Sequence, residues 1–151
     1  MSSLVNAMLL LTLAMSIPPQ SSAVPTRVTI QANGQWTTEV TGEETVRDCA
    51  TFRPTARQVR DYFAAAIPVD TRAYNHDLSM SRCHARGSAR FGNRPAEWRI
   101  DRARRGMAVF ANGERRYFYC VTCPAPPFEP VSDEDREIAA QLIKAQPTPP
   151  R

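Results

Sequence analysis

Cys120 and Cys123 form a C-x-x-C pair, the sharpest chemical motif in the chain. In a thioredoxin-like site the first cysteine opens a helix, where the dipole lowers its pKa and makes a reactive thiolate. Here an alternating, strand-like run precedes the pair and Pro124-Ala125-Pro126-Pro127 follows, so no helix can start there. A structural disulfide is the favoured reading and thiol–disulfide chemistry the alternative. Zinc is a third possibility. Cys83, His84, Cys120 and Cys123 could give a Cys3His set, with Cys49 able to replace His84. Structural zinc sites mostly use two short-spaced pairs, and this chain has one, so neither a metal nor any other cofactor is expected.

Arg102, Arg104 and Arg105 crowd three like charges onto one short turn. They repel unless something acidic answers them, which makes this turn the candidate site for an acidic protein or a polyanion. His76 and His84 are the only histidines. His76-Asp77 could form half of an acid–base pair, but no nucleophile elbow, phosphate-cradling loop or paired histidine ligands accompany it. No catalytic residue is assigned. Tyr117, Tyr119 and Arg115 could imitate an aromatic and basic platform for single-stranded nucleic acid. Aromatic residues on a strand are more often core, and nucleic acid is not the expected partner.

The elements that position these residues follow from periodicity. Val28 and Ile30, then Trp36, Thr38 and Val40, alternate around Asn33-Gly34, which predicts a hairpin of strands at 26–32 and 35–40. Residues 45–52 leave their type open, with a short strand carrying Cys49 and Phe52 as one option. Thr55 and Gln58 make a capping box. Val59, Tyr62, Phe63 and Ala66 recur on one face, and Pro68 stops the chain, so a helix is expected over 56–66. Residues 68–82 show no period and read as a loop.

A meander follows. Ala85, Gly87, Ala89 and Phe91 share one face of a strand. Gly92-Asn93-Arg94-Pro95 turns the chain, and Ala96, Trp98 and Ile100 then face inward. Pairing Phe91 with Ala96 would set Arg90 against Glu97 and Arg86 against Asp101, answering the arginine row with opposite charges. Arg102–Gly106 forms the next turn, Met107–Phe110 a strand, Asn112-Gly113 a second hairpin turn and Arg115–Val121 the last strand. Ser132 caps a C-terminal helix whose first turn carries Asp133, Glu134 and Asp135. Ile138, Leu142 and Ile143 give it a narrow apolar stripe. Residues 145–151 read as a disordered tail.

Four cysteines allow three connectivities, and the sequence alone does not choose. In a four-strand meander the start of the first strand and the end of the last lie at the same end of the sheet. That favours one bond from Cys83 and one from Cys49, each ending in the C-x-x-C.

Residues 1–23 hold no charged side chain, a short apolar core around Leu9–Ala14, and Ser21-Ser22-Ala23 as a small-residue cleavage pattern. This is a secretory signal peptide, with only the α-amino group as its positive charge. The apolar run is well short of the ~20 residues a membrane span needs. One domain, 24–144, follows. Eighteen of the nineteen basic residues are arginine, and the formal charge is +4. This bias is more simply one of coding than of function.

The pattern Val59-x-x-Tyr62-Phe63, Cys83-x-x-x-Gly87, Trp98-x-Ile100, Tyr119-Cys120-x-x-Cys123 resembles small exported or lipoprotein-like bacterial proteins of unknown function. The likeness covers residues 49–123 and implies a location in the bacterial envelope. It carries no activity, and this chain departs from the lipid-anchored members in having no cysteine at the cleavage site. The expected fold is α+β: a disulfide-stapled antiparallel meander of five or six strands, with one packed helix and a peripheral C-terminal helix. The expected role is an exported, non-enzymatic binding or interaction module, periplasmic or secreted, of the inhibitor or immunity kind.

Overall fold

The computed structural model describes residues 24–147. The expected signal peptide and the last four residues of the expected tail lie outside them. Pro25, the second described residue, is already fully buried.

Six strands form one antiparallel sheet in the order β1-β3-β4-β5-β6-β2. They are β1 (Thr26–Trp36), β2 (Ile67–Val69), β3 (Cys83–Phe91), β4 (Arg94–Asp101), β5 (Arg105–Phe110) and β6 (Arg115–Tyr119). The meander β3–β6 is the one the alternating residues predict, except that β5 begins two residues earlier, taking Arg105 and Gly106 out of the expected turn, and β6 ends at Tyr119 instead of Val121. Three helices join it: α1 (Val46–Cys49), α2 (Ala56–Ala65) and α3 (Asp133–Ala145). The fold is α+β.

Helix α2 forms for the reasons read from its sequence. Thr55 Oγ1 accepts from Gln58 N at 3.1 Å and Gln58 Oε1 from Thr55 N at 2.9 Å. Its end comes one residue early: Ala66 is extended, and β2 begins at Ile67. Val59, Tyr62 and Phe63 are fully buried against one face of the sheet. Phe63 meets Phe91 and Phe118 edge-on, with ring centroids 5.1 and 5.3 Å apart. Trp98, Ile100 and Ala85 complete this core.

The opposite face is covered towards β6 and β2, and at the disulfide end, where His84 and Asp101 are buried. Towards β6 and β2, Tyr119, Ala73, Leu78 and Ala139 form a second cluster, with Ile67, Val69, Ile138 and Leu142 packed against it. Helix α3 is held by that cluster and by Asp135, whose Oδ1 accepts from Ser79 N at 3.0 Å. Of its expected stripe, Ile143 stays exposed. Ala145 belongs to this helix and Gln146 donates to Pro68 O at 3.1 Å, so neither is part of a disordered tail as expected.

Four expectations are corrected. The Asn33-Gly34 hairpin does not form, and both its arms join one irregular strand. β1 runs from Thr26 opposite Arg90 to Trp36 opposite Cys83, with three register shifts. The free edge of β3 offers the whole stretch a longer ladder than the two arms could give each other. Gly34, at φ +56°, serves a bulge whose N–H donates to Phe52 O at 2.9 Å. Residues 37–40 are then a loop.

The ambiguous stretch at 45–52 holds a helical turn, not a strand, because Thr45 and Asp48 form a second capping box. The stretch at 68–82 is not all loop: its start pairs with β6, and Ala73–Asp77 makes one π-helical turn.

The fourth correction concerns register and bears on function. Phe91 pairs with Arg94, not Ala96, across a two-residue turn in which Gly92 takes φ +62°. Flanking residues of such a turn form a hydrogen-bonded pair, so the next pair, Arg90 and Pro95, is not one. β5's pairing stops at Ala96. Pro95 therefore removes no ladder bond, and the tight turn is available. The two-residue shift sets Ser88 against Glu97 and Arg86 against Arg99.

Candidate functional site

The four cysteines form two disulfides, Cys49–Cys83 and Cys120–Cys123. The expected bonds from Cys83 and Cys49 into the C-x-x-C do not form. Cys83 and Cys120 do stand at one end of the sheet, but β4 and β5 lie between their strands. Three strand spacings amount to roughly 14 Å, against a limit of about 7 Å between bridged Cα atoms. Cys49, on α1 beside the start of β3, is within reach of Cys83, with Cα atoms 4.7 Å apart. The two bonds suit a non-reducing, extracytoplasmic compartment, and no described helix is long and apolar enough to cross a membrane. With all four cysteines bonded, the Cys3His set weighed as a third possibility is not assembled. Among the described residues no three His, Cys, Asp or Glu side chains stand together as metal ligands.

The arginine turn is also corrected, because its charges are answered from within. Arg104 is 3 % exposed. Its Nε donates to Glu129 O at 2.7 Å and its Nη1 to Cys120 O at 3.2 Å, so it ties the disulfide loop to the sheet. Arg105, 4 % exposed, pairs with Asp101 at 2.9 Å and donates to Tyr74 O at 2.6 Å. Arg102 lies between Glu44 at 3.3 Å and Glu129 at 3.0 Å. Neither buried guanidinium can meet a partner. His76 is exposed on the π-turn beside Asp77, which faces Arg72 at 3.8 Å.

The structure gathers a different set on the sheet face that α2 does not cover. The register arranges it in rows across the strands. His84, Asp101, Arg105 and Tyr119 form the row nearest the disulfide end; Arg86, Arg99, Met107 and Tyr117 form the next; Ser88, Glu97, Val109 and Arg115 the third. Tyr119 is buried, its hydroxyl donating to Asp135 Oδ2 at 3.3 Å. Of the three residues that could imitate an aromatic and basic platform, only Tyr117 and Arg115 remain accessible, and Tyr74 packs on Tyr117 with ring centroids 4.6 Å apart.

Over the first two rows lies a cleft of about 210 Å³, lined among others by Glu39, Tyr74, Arg99, Arg105, Met107 and Tyr117. Asp101 forms part of its floor. The Asp101 carboxylate accepts from Arg105 N at 3.0 Å, Arg105 Nε at 2.9 Å and Ser81 N at 3.4 Å. Burial pushes its pKa up to about 6, and the Arg105 guanidinium and these donors hold it from rising further. The His84 ring is held below its ordinary pKa, first by burial and then by Arg99, and stays neutral at pH 7.

Arg99 sits at the middle of the face. Its Nη1 is 2.7 Å from Glu39 Oε2 and its Nη2 is 3.4 Å from His84 Nδ1. The hydrogen bond and charge of Arg99 hold the Glu39 carboxyl below the usual carboxylate range. Arg86, opposite Arg99, reaches only Gln31 Oε1 at 3.3 Å. Among the described residues neither Arg86 nor Arg115 has a carboxylate partner.

Sequence reasoning missed this site although its signal was present. Arg86 and Arg90 take outward positions on β3 and Arg99 one on β4, but the assumed register cancelled Arg86 and Arg90 against acids. The chain matches no protein-family model, no curated protein and no solved structure.

Proposed function

We propose that this protein is an exported, non-enzymatic binding module of the bacterial envelope whose uncovered sheet face takes an acidic partner protein. One observation carries the reading: Arg86 and Arg99 stand directly opposite each other on adjacent strands of that face. Like charges so placed are destabilising in the free protein, and Glu39 answers only one of the two, Arg99. A partner carboxylate bound between them turns the repulsion into paired, charge-assisted hydrogen bonds. Charge complementarity extends the argument. The face carries Arg86, Arg90, Arg99 and Arg115 against Glu39 and Glu97, a surplus of two positive charges. Half-buried Met107, Val109 and Tyr117 between them offer apolar surface to a partner's aliphatic stems. The alternative, thiol–disulfide chemistry at Cys120 and Cys123, lacks what it needs: Cys120 is fully buried, and the nearest helix start after the pair is at Asp133.

The test is binding of a fluorescein-labelled hexaglutamate peptide, followed by anisotropy at several salt concentrations. Wild-type protein binds, and affinity falls as salt screens the face. The double variant Arg86→Glu/Arg115→Glu loses at least tenfold. Unchanged binding by that variant refutes the reading.

A further inference from the structure

Arg99 differs from the other arginines of the face in how it is held. Its side chain is 25 % exposed, with Nη2 3.4 Å from His84 Nδ1 behind it, while its front Nη1 faces the carboxylate of a side chain that is 70 % exposed. That carboxylate, Glu39, comes from the 37–44 loop. Both ends of the loop are pinned. Thr37 N donates to Arg82 O at 3.1 Å, and Trp36 Nε1 donates to Glu44 O at 2.7 Å. Glu44 itself is bound to Ser81, to Arg82 N at 3.0 Å and to Arg102 at 3.3 Å. Between these anchors Thr38, Glu39 and Thr41–Glu43 are exposed. The cleft runs inward from Glu39 over Met107 and Tyr117 to Tyr74.

We infer that Glu39 is an intramolecular stand-in for a partner's carboxylate, and that Arg99 with the cleft forms a subsite for one Asp or Glu side chain. The inference rests on the proposed docking of an acidic partner and names where its key residue goes. The incoming carboxylate takes the Arg99 fork as Glu39 swings out on its loop. The methylene stem lies on Met107 and the Tyr117 ring, with Tyr74 as its far wall. The fixed guanidinium needs no reorganisation, because His84 and the strand hold it in place. Arg86, across the ladder, adds a second guanidinium to the same carboxylate.

Four variants of the full chain decide this with the hexaglutamate probe. Glu39→Gln removes the internal competitor and tightens binding about tenfold. Glu97→Gln removes the same charge from the same face without touching Arg99, and gains about twofold. Arg99→Lys keeps the charge but loses the planar fork, and weakens binding about tenfold. Glu39→Gln/Arg99→Lys binds no tighter than Arg99→Lys alone. Equal gains from Glu39→Gln and Glu97→Gln would reduce the effect to general charge and overturn the subsite. So would no gain from Glu39→Gln while wild-type binding still depends on Arg86 and Arg115, and the docking face would then stand alone. Absence of binding by wild type and Glu39→Gln alike would overturn both.

Discussion

Removing the disulfides one at a time should give unequal losses, and the inequality tests the connectivity. Cys49 and Cys83 are 34 residues apart and Cys120 and Cys123 are 3 apart. The chain-entropy relation gives about 3.8 kcal/mol for the long loop and about 1.6 kcal/mol for the short one. Folding entropy of about 2.1 cal/mol/K per residue comes to about 0.26 kcal/mol/K over residues 24–147. Cys49→Ala/Cys83→Ala should then lower Tm by about 15 °C, and Cys120→Ala/Cys123→Ala by about 6 °C. Both sulfurs of the first pair are fully buried, so lost packing adds to the larger figure. Scanning calorimetry and urea titration of the two double variants read this directly. Bonds running from Cys49 and Cys83 into the C-x-x-C would be broken together by either double variant. Equal losses would therefore refute the pairing and the strand-spacing argument behind it.

A methyl group at Gly87 would lie 1.8 Å from Thr29 O and 2.7 Å from Trp98 Cζ2. Gly87→Ala should push β1 off the sheet and cost about 3 kcal/mol in urea unfolding, with early hydrogen exchange confined to the β1 amides. Tyr62 is fully buried and its hydroxyl donates to Arg104 O at 2.9 Å. Tyr62→Phe should cost about 1 kcal/mol, the usual worth of one such bond. Asp101 should titrate near its raised pKa of about 6 in a carboxyl carbon NMR experiment, a step that Asp101→Asn removes. A pKa raised above the unfolded value means the folded chain holds the proton more tightly. Asp101's contribution to stability should therefore fall by about 2 kcal/mol as pH rises from 4 to 6. The difference between wild type and Asp101→Asn across that range checks the sign.

Local chemistry was legible where it is decided locally. Thr55 with Gln58 caps α2, and Ser132 caps α3, its hydroxyl accepting from Asp135 N at 3.0 Å. The alternating faces of β3 to β6 follow from side chains pointing to opposite sides of a pleated strand. The Asn33-Gly34 dipeptide illustrates the limit. Gly34 does take the positive φ that such a turn needs, but that freedom serves a bulge. A hairpin and a bulge need the same residue, and the free edge of β3 decides between them.

The sequence by itself determined that this would be an α+β fold built on an antiparallel meander, with a helix after Thr55 and another after Ser132. Those outcomes depend on caps, turn residues and periodicities spanning a few residues. Tertiary structure alone decided which strands border which, and hence that Cys83 meets Cys49 and not the C-x-x-C. It also decided the β3–β4 register, which turned expected Arg–acid pairs into Arg86 facing Arg99, and the internal partners of the turn's arginines: Glu44 and Glu129 for Arg102, backbone carbonyls for buried Arg104 and Asp101 for buried Arg105. Contacts between residues far apart in the chain depend on strand order and on slips of two residues. A slip of two leaves every side chain on the same face, so the alternating pattern looks identical in either register.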